Sequence, residues 1–216
     1  IAVGPFSVLP QPGEILCNGD TTTLTLLTSG GTSPYIYELL DNDLNLVEAN
    51  STGIFNNIPA GIYNFFAADS DGRRYPDIGL IAFPINEPSA ITANASNSTI
   101  WAGTTTDVTI NATGGTGDLT YTFNGNSITN NTGSATFNNV SAGLGQSYTI
   151  TDTNGCTFNG TFDVTAVNLS VTATGTDVSC SGATDGQITV QGSGALAATA
   201  GYILVDSGNN TIGFYS

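Results

Sequence analysis

One alternating stretch of this chain recurs at near-constant spacing, and that recurrence decides what the chain can fold into. Thr21-Thr22-Thr23-Leu24-Thr25-Leu26-Leu27-Thr28-Ser29-Gly30-Gly31 returns 84 residues later as Thr105-Thr106-Asp107-Val108-Thr109-Ile110-Asn111-Ala112-Thr113-Gly114-Gly115. A third copy, Gln187-Ile188-Thr189-Val190-Gln191-Gly192-Ser193-Gly194, follows with Ile188 and Val190 80 residues beyond Val108 and Ile110. In each, apolar residues alternate with polar ones and the run ends at glycine. That is the period of a strand with one buried face. Leu24, Leu26, Val108, Ile110, Ile188 and Val190 are therefore expected on core faces.

Downstream of each copy, further features recur in the same order. An aromatic strand comes next: Tyr35-Ile36-Tyr37, Tyr121-Thr122-Phe123, and Tyr202-Ile203-Leu204-Val205. A polar turn succeeds it, at Asp41-Asn42-Asp43, Asn124-Gly125-Asn126 and Asp206-Ser207-Gly208-Asn209. The first two copies continue with Phe55-Asn56-Asn57 and Phe137-Asn138-Asn139, then an Ala-Gly step before Tyr63 and Tyr148. They close on hairpins, Asp69-Ser70-Asp71-Gly72 and Asp152-Thr153-Asn154-Gly155, whose Asp-Gly and Asn-Gly pairs supply the positive φ of tight turns. Units of about 80 residues with roughly seven short strands fit an immunoglobulin-like sandwich, and the Ala-Gly-x-Tyr step resembles its tyrosine corner. The expected class is all-β, in tandem immunoglobulin-like β-sandwich repeats. Tyr37, Tyr121, Tyr63 and Tyr148 are expected to pack on the strand faces named above.

Boundaries fall near the Pro84-Ile85-Asn86-Glu87-Pro88 linker and near Val167-Asn168. The repeats are then 1–88, 89–167 and a partial third, 168–216. The last has 49 residues where the others need about 80, so it is half a sandwich with an open apolar face and open strand edges. Either the polypeptide continues or another chain completes it. The opening Ile1-Ala2-Val3-Gly4 has no initiator Met and no charged-then-apolar leader, the expectation being a piece of something longer.

Composition excludes several functions. Thr, Asn and Ser number 33, 22 and 18, which suits strands and turns. With 17 acidic side chains against two arginines, the formal charge is −15. That charge repels phosphate backbones and anionic membrane surfaces alike, so neither nucleic acid nor a membrane is an expected partner. The chain has no His, Lys or Met. Histidine-based nucleophile activation, imidazole zinc sets, Schiff bases and P-loops all go with them. No enzyme activity and no cofactor are expected.

The run Leu169-Ser170-Val171-Thr172-Ala173-Thr174-Gly175-Thr176-Asp177-Val178-Ser179-Cys180-Ser181-Gly182-Ala183-Thr184-Asp185-Gly186-Gln187-Ile188-Thr189-Val190 resembles the opening of a SprB-type repeat. The family's closing pattern, Ala-Gly-x-Tyr followed by Asp-x-Asn-Gly-Cys, is matched by Ala142-Gly143 through Cys156. The resemblance implies an extracellular place on the cell surface of gliding Bacteroidetes, in large adhesins exported by type IX secretion. Two positions depart from it. Arg73 stands where repeat 1 would carry its closing cysteine, and Ile100-Trp101 stand where repeat 2 would carry its opening one.

Three cysteines remain, Cys17, Cys156 and Cys180. The opening and closing positions lie at opposite poles of an immunoglobulin-like sandwich. No disulfide is therefore expected among them, the favoured reading being small buried hydrophobes. Trp101 is expected at the base of its sandwich, over the site where the other copies place cysteine; a carbohydrate platform is the alternative.

The remaining motifs are weighed against turn chemistry. Val205-Asp206-Ser207-Gly208 resembles an aspartic-protease signature but lacks the second carboxylate that the chemistry needs. Asp41-Asn42-Asp43-Leu44-Asn45 opens like a calcium loop, yet Leu46 and Thr52 stand where Gly and Glu are required. Asp69 with Asp71, and Asp152 with Asn154, are the weak calcium candidates; ordinary Asx turns are the simpler reading. Asn-x-Ser/Thr triplets at Asn50, Asn97, Asn111 and Asn168 are expected by chance in so Asn- and Thr-rich a chain. The resemblance points instead to Asp20-Thr21-Thr22 as an O-glycosylation signal, with Thr21 the acceptor.

The expected function is a non-catalytic stalk, spacer or filament segment of a large adhesin, serving attachment or gliding motility. Its expected partners are neighbouring repeats or subunits, with surface polysaccharide a further candidate. The alternatives are a self-assembling fibre subunit completed by strand donation, and spacer domains of a secreted multidomain enzyme.

Overall fold

A computed structural model describes residues 4–194, 202–205 and 208–215. Every regular element among the described residues is a β-strand. In the first repeat these are β1 (Ser7–Pro12), β2 (Thr21–Ser29), β3 (Ile36–Leu40), β4 (Leu46–Asn50), β5 (Ile54–Pro59), β6 (Gly61–Ala68), β7 (Arg74–Tyr75) and β8 (Phe83–Ile85). One sheet has the order β1–β2–β5; the other runs β4–β3–β6–β7, with β8 also pairing β6. This is the strand division of an immunoglobulin-like sandwich.

Alternation in β2 turns directly into packing. Leu24 and Leu26 are 0% and 3% exposed, while their neighbours face outward. They meet Tyr37, Leu39, Phe55 and Phe65 in one buried cluster with Val8, Ile58 and Tyr63. Each fully buried Leu or Phe contributes about 1.5–3 kcal/mol from area removed from water.

The second repeat supplies β9 (Thr92–Ala95), β10 (Ser98–Trp101), β11 (Thr105–Thr113), β12 (Leu119–Phe123), β13 (Asn126–Asn130), β14 (Ser134–Ser141), β15 (Gly143–Thr151) and β16 (Thr157–Val167). Its sheets have the orders β14–β11–β9 and β10–β16–β15–β12–β13, the same division again. Val108, Ile110, Tyr121 and Tyr148 are all buried, as the alternation predicts.

The Gly-Gly break after β2 and β11 has a steric cause. Gly30 and Gly114 have φ of +72° and +82°, and a Cβ on either would collide with the carbonyl of Pro5 or Ala90. Only glycine lets the preceding segment pass so close. The paired Asn motif is also conformational: Asn57 and Asn139 both have φ of +58°, a region that Asn tolerates better than other side chains.

After residue 168 come β17 (Ser170–Thr176), β18 (Gln187–Ser193), β19 (Tyr202–Val205) and β20 (Thr211–Tyr215), in two antiparallel ladders, β17–β18 and β19–β20. Here one expectation needs correcting. Ile188 and Val190 hold the register of the buried β2 leucines, yet they are 58% and 37% exposed. Alternation sorts side chains between faces, but burial needs a second sheet to close over one of them. Residues Asp206 and Ser207, which carry the lone protease-like signature, lie outside the described residues.

The chain groups into two compact units, Ile1–Ala93 with Asn111–Ser134 and Thr149–Asn159, and Asn94–Ile110 with Ala135–Tyr148 and Gly160–Ser216. The first contains the whole first sandwich, the β12–β13 hairpin and the turn at 152–156. The second contains the parallel β10–β16 ladder and the two ladders beyond residue 168.

Candidate functional site

Two aspartates organise the closing hairpins in the same way. Asp69 Oδ1 accepts hydrogen bonds from the backbone N–H of Asp71 (3.0 Å) and Arg73 (2.8 Å), and Oδ2 accepts from Thr32 N–H (3.1 Å). Asp152 Oδ1 accepts from Asn154 N–H and Cys156 N–H, each at 2.9 Å, and Oδ2 from Thr116 N–H at 2.9 Å. Ser70 and Thr153 add equivalent hydroxyl bonds to the carbonyls of Thr32 and Thr116. Each buried carboxylate thus ties its turn to the residue after the Gly-Gly break.

This places the calcium candidates. The oxygens of Asp69 and Asp152 are taken by backbone donors, and Asp71 Oδ2 accepts from Thr32 Oγ1 at 2.6 Å. Among the described residues no three His, Cys, Asp or Glu side chains cluster as a metal site would require. Burial works to raise the Asp69 carboxyl. The N–H groups of Arg73, Thr32 and Asp71, with the Arg73 charge, outweigh it and hold the group below its ordinary value. The calcium-like loop at Asp41 is another self-contained turn. Asp41 Oδ1 accepts from the N–H of Asp43 and Asn45, both at 2.9 Å, and Oδ2 from Asn45 Nδ2 at 3.0 Å. The Asn45 amide, the Asn45 N–H and the Asp43 N–H lower its carboxyl against an opposing burial effect.

The tyrosine corner is present as the sequence suggests: Tyr63 Oη donates to the Pro59 carbonyl at 3.0 Å. The other core tyrosines differ between repeats. The Tyr37 and Thr28 hydroxyls lie 2.6 Å apart. Tyr121 holds the same place in repeat 2, but the position of Thr28 is taken by Ala112, and the buried Tyr121 hydroxyl has no hydrogen-bond partner. Burial pushes that phenol up.

The expectation of no disulfide is overturned. Cys17 and Cys156 are bonded, with Cα atoms 5.5 Å apart and a sequence separation of 139. The pole argument holds for two cysteines of one sandwich, whereas these belong to successive repeats. The opening loop of repeat 1 meets the closing hairpin of repeat 2. Neither cysteine is fully buried, and Cys180 is free and exposed, so the buried-hydrophobe reading falls for all three. A signal for this pairing was present in the departures. Repeat 1 lacks its closing cysteine at Arg73 and repeat 2 lacks its opening one at Ile100-Trp101. The two that remain are complementary across the junction.

Polar contacts surround the bond. Asn154 Nδ2 donates to the Leu16 carbonyl (3.2 Å), and Asn18 Nδ2 to the Pro88 carbonyl (3.1 Å). Gly19 N–H donates to Glu87 Oε2 (2.5 Å), and Gly115 N–H to the Ser89 carbonyl (2.9 Å). A cleft of about 320 Å³ opens beside the disulfide, lined by Cys17, Asn18, Asp20, Pro88, Asp152 and Thr157 among others. Its Asp152 carboxylate is already committed to backbone N–H groups, so the chemistry here is tethering of loops. Thr21, the glycosylation candidate, is exposed at the start of β2. Trp101, half-buried at the end of β10, pairs with Val167 in the parallel ladder.

No protein-family model matches the chain, and no curated protein is significantly similar to it. Among solved structures, the chain is similar to a C-terminal 282-residue fragment of intimin in complex with the intimin-binding domain of the translocated intimin receptor. Identity is 11% and the TM-score 0.41, over 79% of this chain and 67% of that one. It is also similar to the BSP domain of a biofilm-associated protein (19% identity, TM-score 0.26, 73% of this chain and 29% of that one). A third is the N-terminal four immunoglobulin domains of Dscam1 isoform 9.44 (11% identity, TM-score 0.29, 76% and 47%). The chain spans less than half the length of the last two. These likenesses concern β-sandwich architecture alone.

Proposed function

We propose that the chain is a non-catalytic segment of an extracellular array of immunoglobulin-like repeats, a stalk or filament of a cell-surface adhesin. The observation that carries this reading is the Cys17–Cys156 disulfide, which ties one repeat's opening loop to the next repeat's closing hairpin. Disulfides persist in oxidising compartments, outside the cytoplasm. A covalent clasp between repeats serves a chain that must transmit load or hold register, and serves an enzyme spacer less directly. The conspicuous carboxylates support the non-catalytic reading: those of Asp41, Asp69 and Asp152 are engaged in turn geometry. With arginine only at Arg73 and Arg74, trypsin-like proteases have a single place to cut, which suits an exposed thread. The resemblance of residues 169–190 to SprB-type repeats extends the proposal to attachment or gliding motility and to type IX export.

The intact mass of the native polypeptide, reduced and denatured, tests it. A mass many times 22.0 kDa, with peptides of further repeats, is the expected result. A mass near 22.0 kDa overturns the array. The exposed Ile188 and Val190 favour a second reading, in which a strand donated by another subunit completes repeat 3. That reading predicts the short chain, together with self-assembly.

A further inference from the structure

We propose that Cys180 is one half of a second inter-repeat disulfide, its partner being the cysteine of an Asp-x-Asn-Gly-Cys turn in a further repeat of this type. The proposal rests on the array reading above. Cys180 and Cys17 occupy the same place in their repeats. Each precedes a strand whose core-face residues pair with the preceding strand: Leu24 and Leu26 with Pro12 and Pro10, Ile188 and Val190 with Gly175 and Ala173. Each begins a turn in which its carbonyl accepts the N–H of the residue three positions on, Asp20 at 3.1 Å and Ala183 at 3.0 Å. Two residues beyond each stands a glycine of positive φ, Gly19 at +84° and Gly182 at +88°.

In repeat 1 the cysteine at this position is bonded to the closing cysteine of the next repeat; in repeat 3 it is exposed and free. A rule that joins each opening cysteine to the closing cysteine of the next repeat accounts for the odd number in this chain. Cys17 finds Cys156, repeat 2 has no opening cysteine to pair, and Cys180 is left for a repeat beyond the third. Repeat 3 also lacks the covering sheet of its siblings: Ile188 and Val190 are exposed where Leu24, Leu26, Val108 and Ile110 are buried.

The bond forms between Cys180 Sγ and the partner Sγ. Two thiols give up two protons and two electrons to a disulfide oxidant, such as a disulfide oxidoreductase or oxidised glutathione, which is itself reduced to two thiols.

The test is disulfide mapping of the native polypeptide. It is isolated without reductant, alkylated at once, digested with an Asp-specific protease and analysed by mass spectrometry before and after reduction. The expected result is no alkylation of Cys180 before reduction, complete alkylation after it, and a Cys180 peptide cross-linked to an Asn-Gly-Cys peptide other than that of Cys156, which is already bonded to Cys17. Cys180 alkylated without reduction, bonded to another Cys180, or bonded to a peptide lacking that turn overturns the proposal. The intact mass decides the array reading separately. A free Cys180 in a polypeptide of many repeats refutes the pairing rule and leaves the array standing.

Discussion

Tyr37 and Tyr121 occupy equivalent core positions with different hydrogen-bonding fates, so the same substitution should have different consequences. Tyr37→Phe removes a bond to Thr28 and should destabilise by about 1 kcal/mol. Tyr121→Phe removes a buried hydroxyl without a partner and should be neutral or stabilising. Denaturant unfolding of the two variants checks the sign of each. Asp69 makes a second residue-scale prediction. Its folded value lies below the ordinary 3.8, so its contribution is fully present above the unfolded value and is lost as pH falls through the folded one. The difference in stability between the wild-type chain and Asp69→Asn should therefore be constant at neutral pH and shrink below about pH 4. A difference that stays constant to about pH 2 would rule out this role.

At the scale of the strand and its break, the glycines after β2 and β11 carry the constraint. Gly30→Ala or Gly114→Ala would place a methyl group against the Pro5 or Ala90 carbonyl, in a φ region that costs an L-residue about 1–2 kcal/mol before any clash. Each should lower stability by about 2 kcal/mol or more, whereas Gly72→Ala, also at positive φ but in open space, should cost only the conformational part. Thermal unfolding of the three variants distinguishes clash from φ strain. The strands themselves were legible because alternation is local: Leu24, Leu26, Val108 and Ile110 read as core, and are. The paired glycines read as a break, but why glycine is required there was not legible. The atoms that exclude a side chain belong to Pro5 and Ala90, about 25 residues back along the chain.

For the whole molecule, the Cys17–Cys156 bond closes a loop spanning most of repeats 1 and 2. In the chain-entropy account a separation of 139 residues restricts the unfolded chain by about 5 kcal/mol, an upper figure. Cys17→Ser with Cys156→Ser should lower the unfolding midpoint while leaving the far-UV spectrum of the folded chain unchanged. Loss of all β structure at room temperature would instead mean that the sandwiches depend on the clasp to fold.

The strand class, the repeat, the turns and the apolar face of each complete strand are all encoded locally, because they depend on side-chain alternation and on residues within a few positions of one another. That Cys17 and Cys156 meet, and that Ile188 and Val190 remain exposed, emerges only when the chain is packed. Both outcomes depend on what a surface finds opposite it, a loop 139 residues away in one case and a covering sheet in the other. No local pattern encodes that.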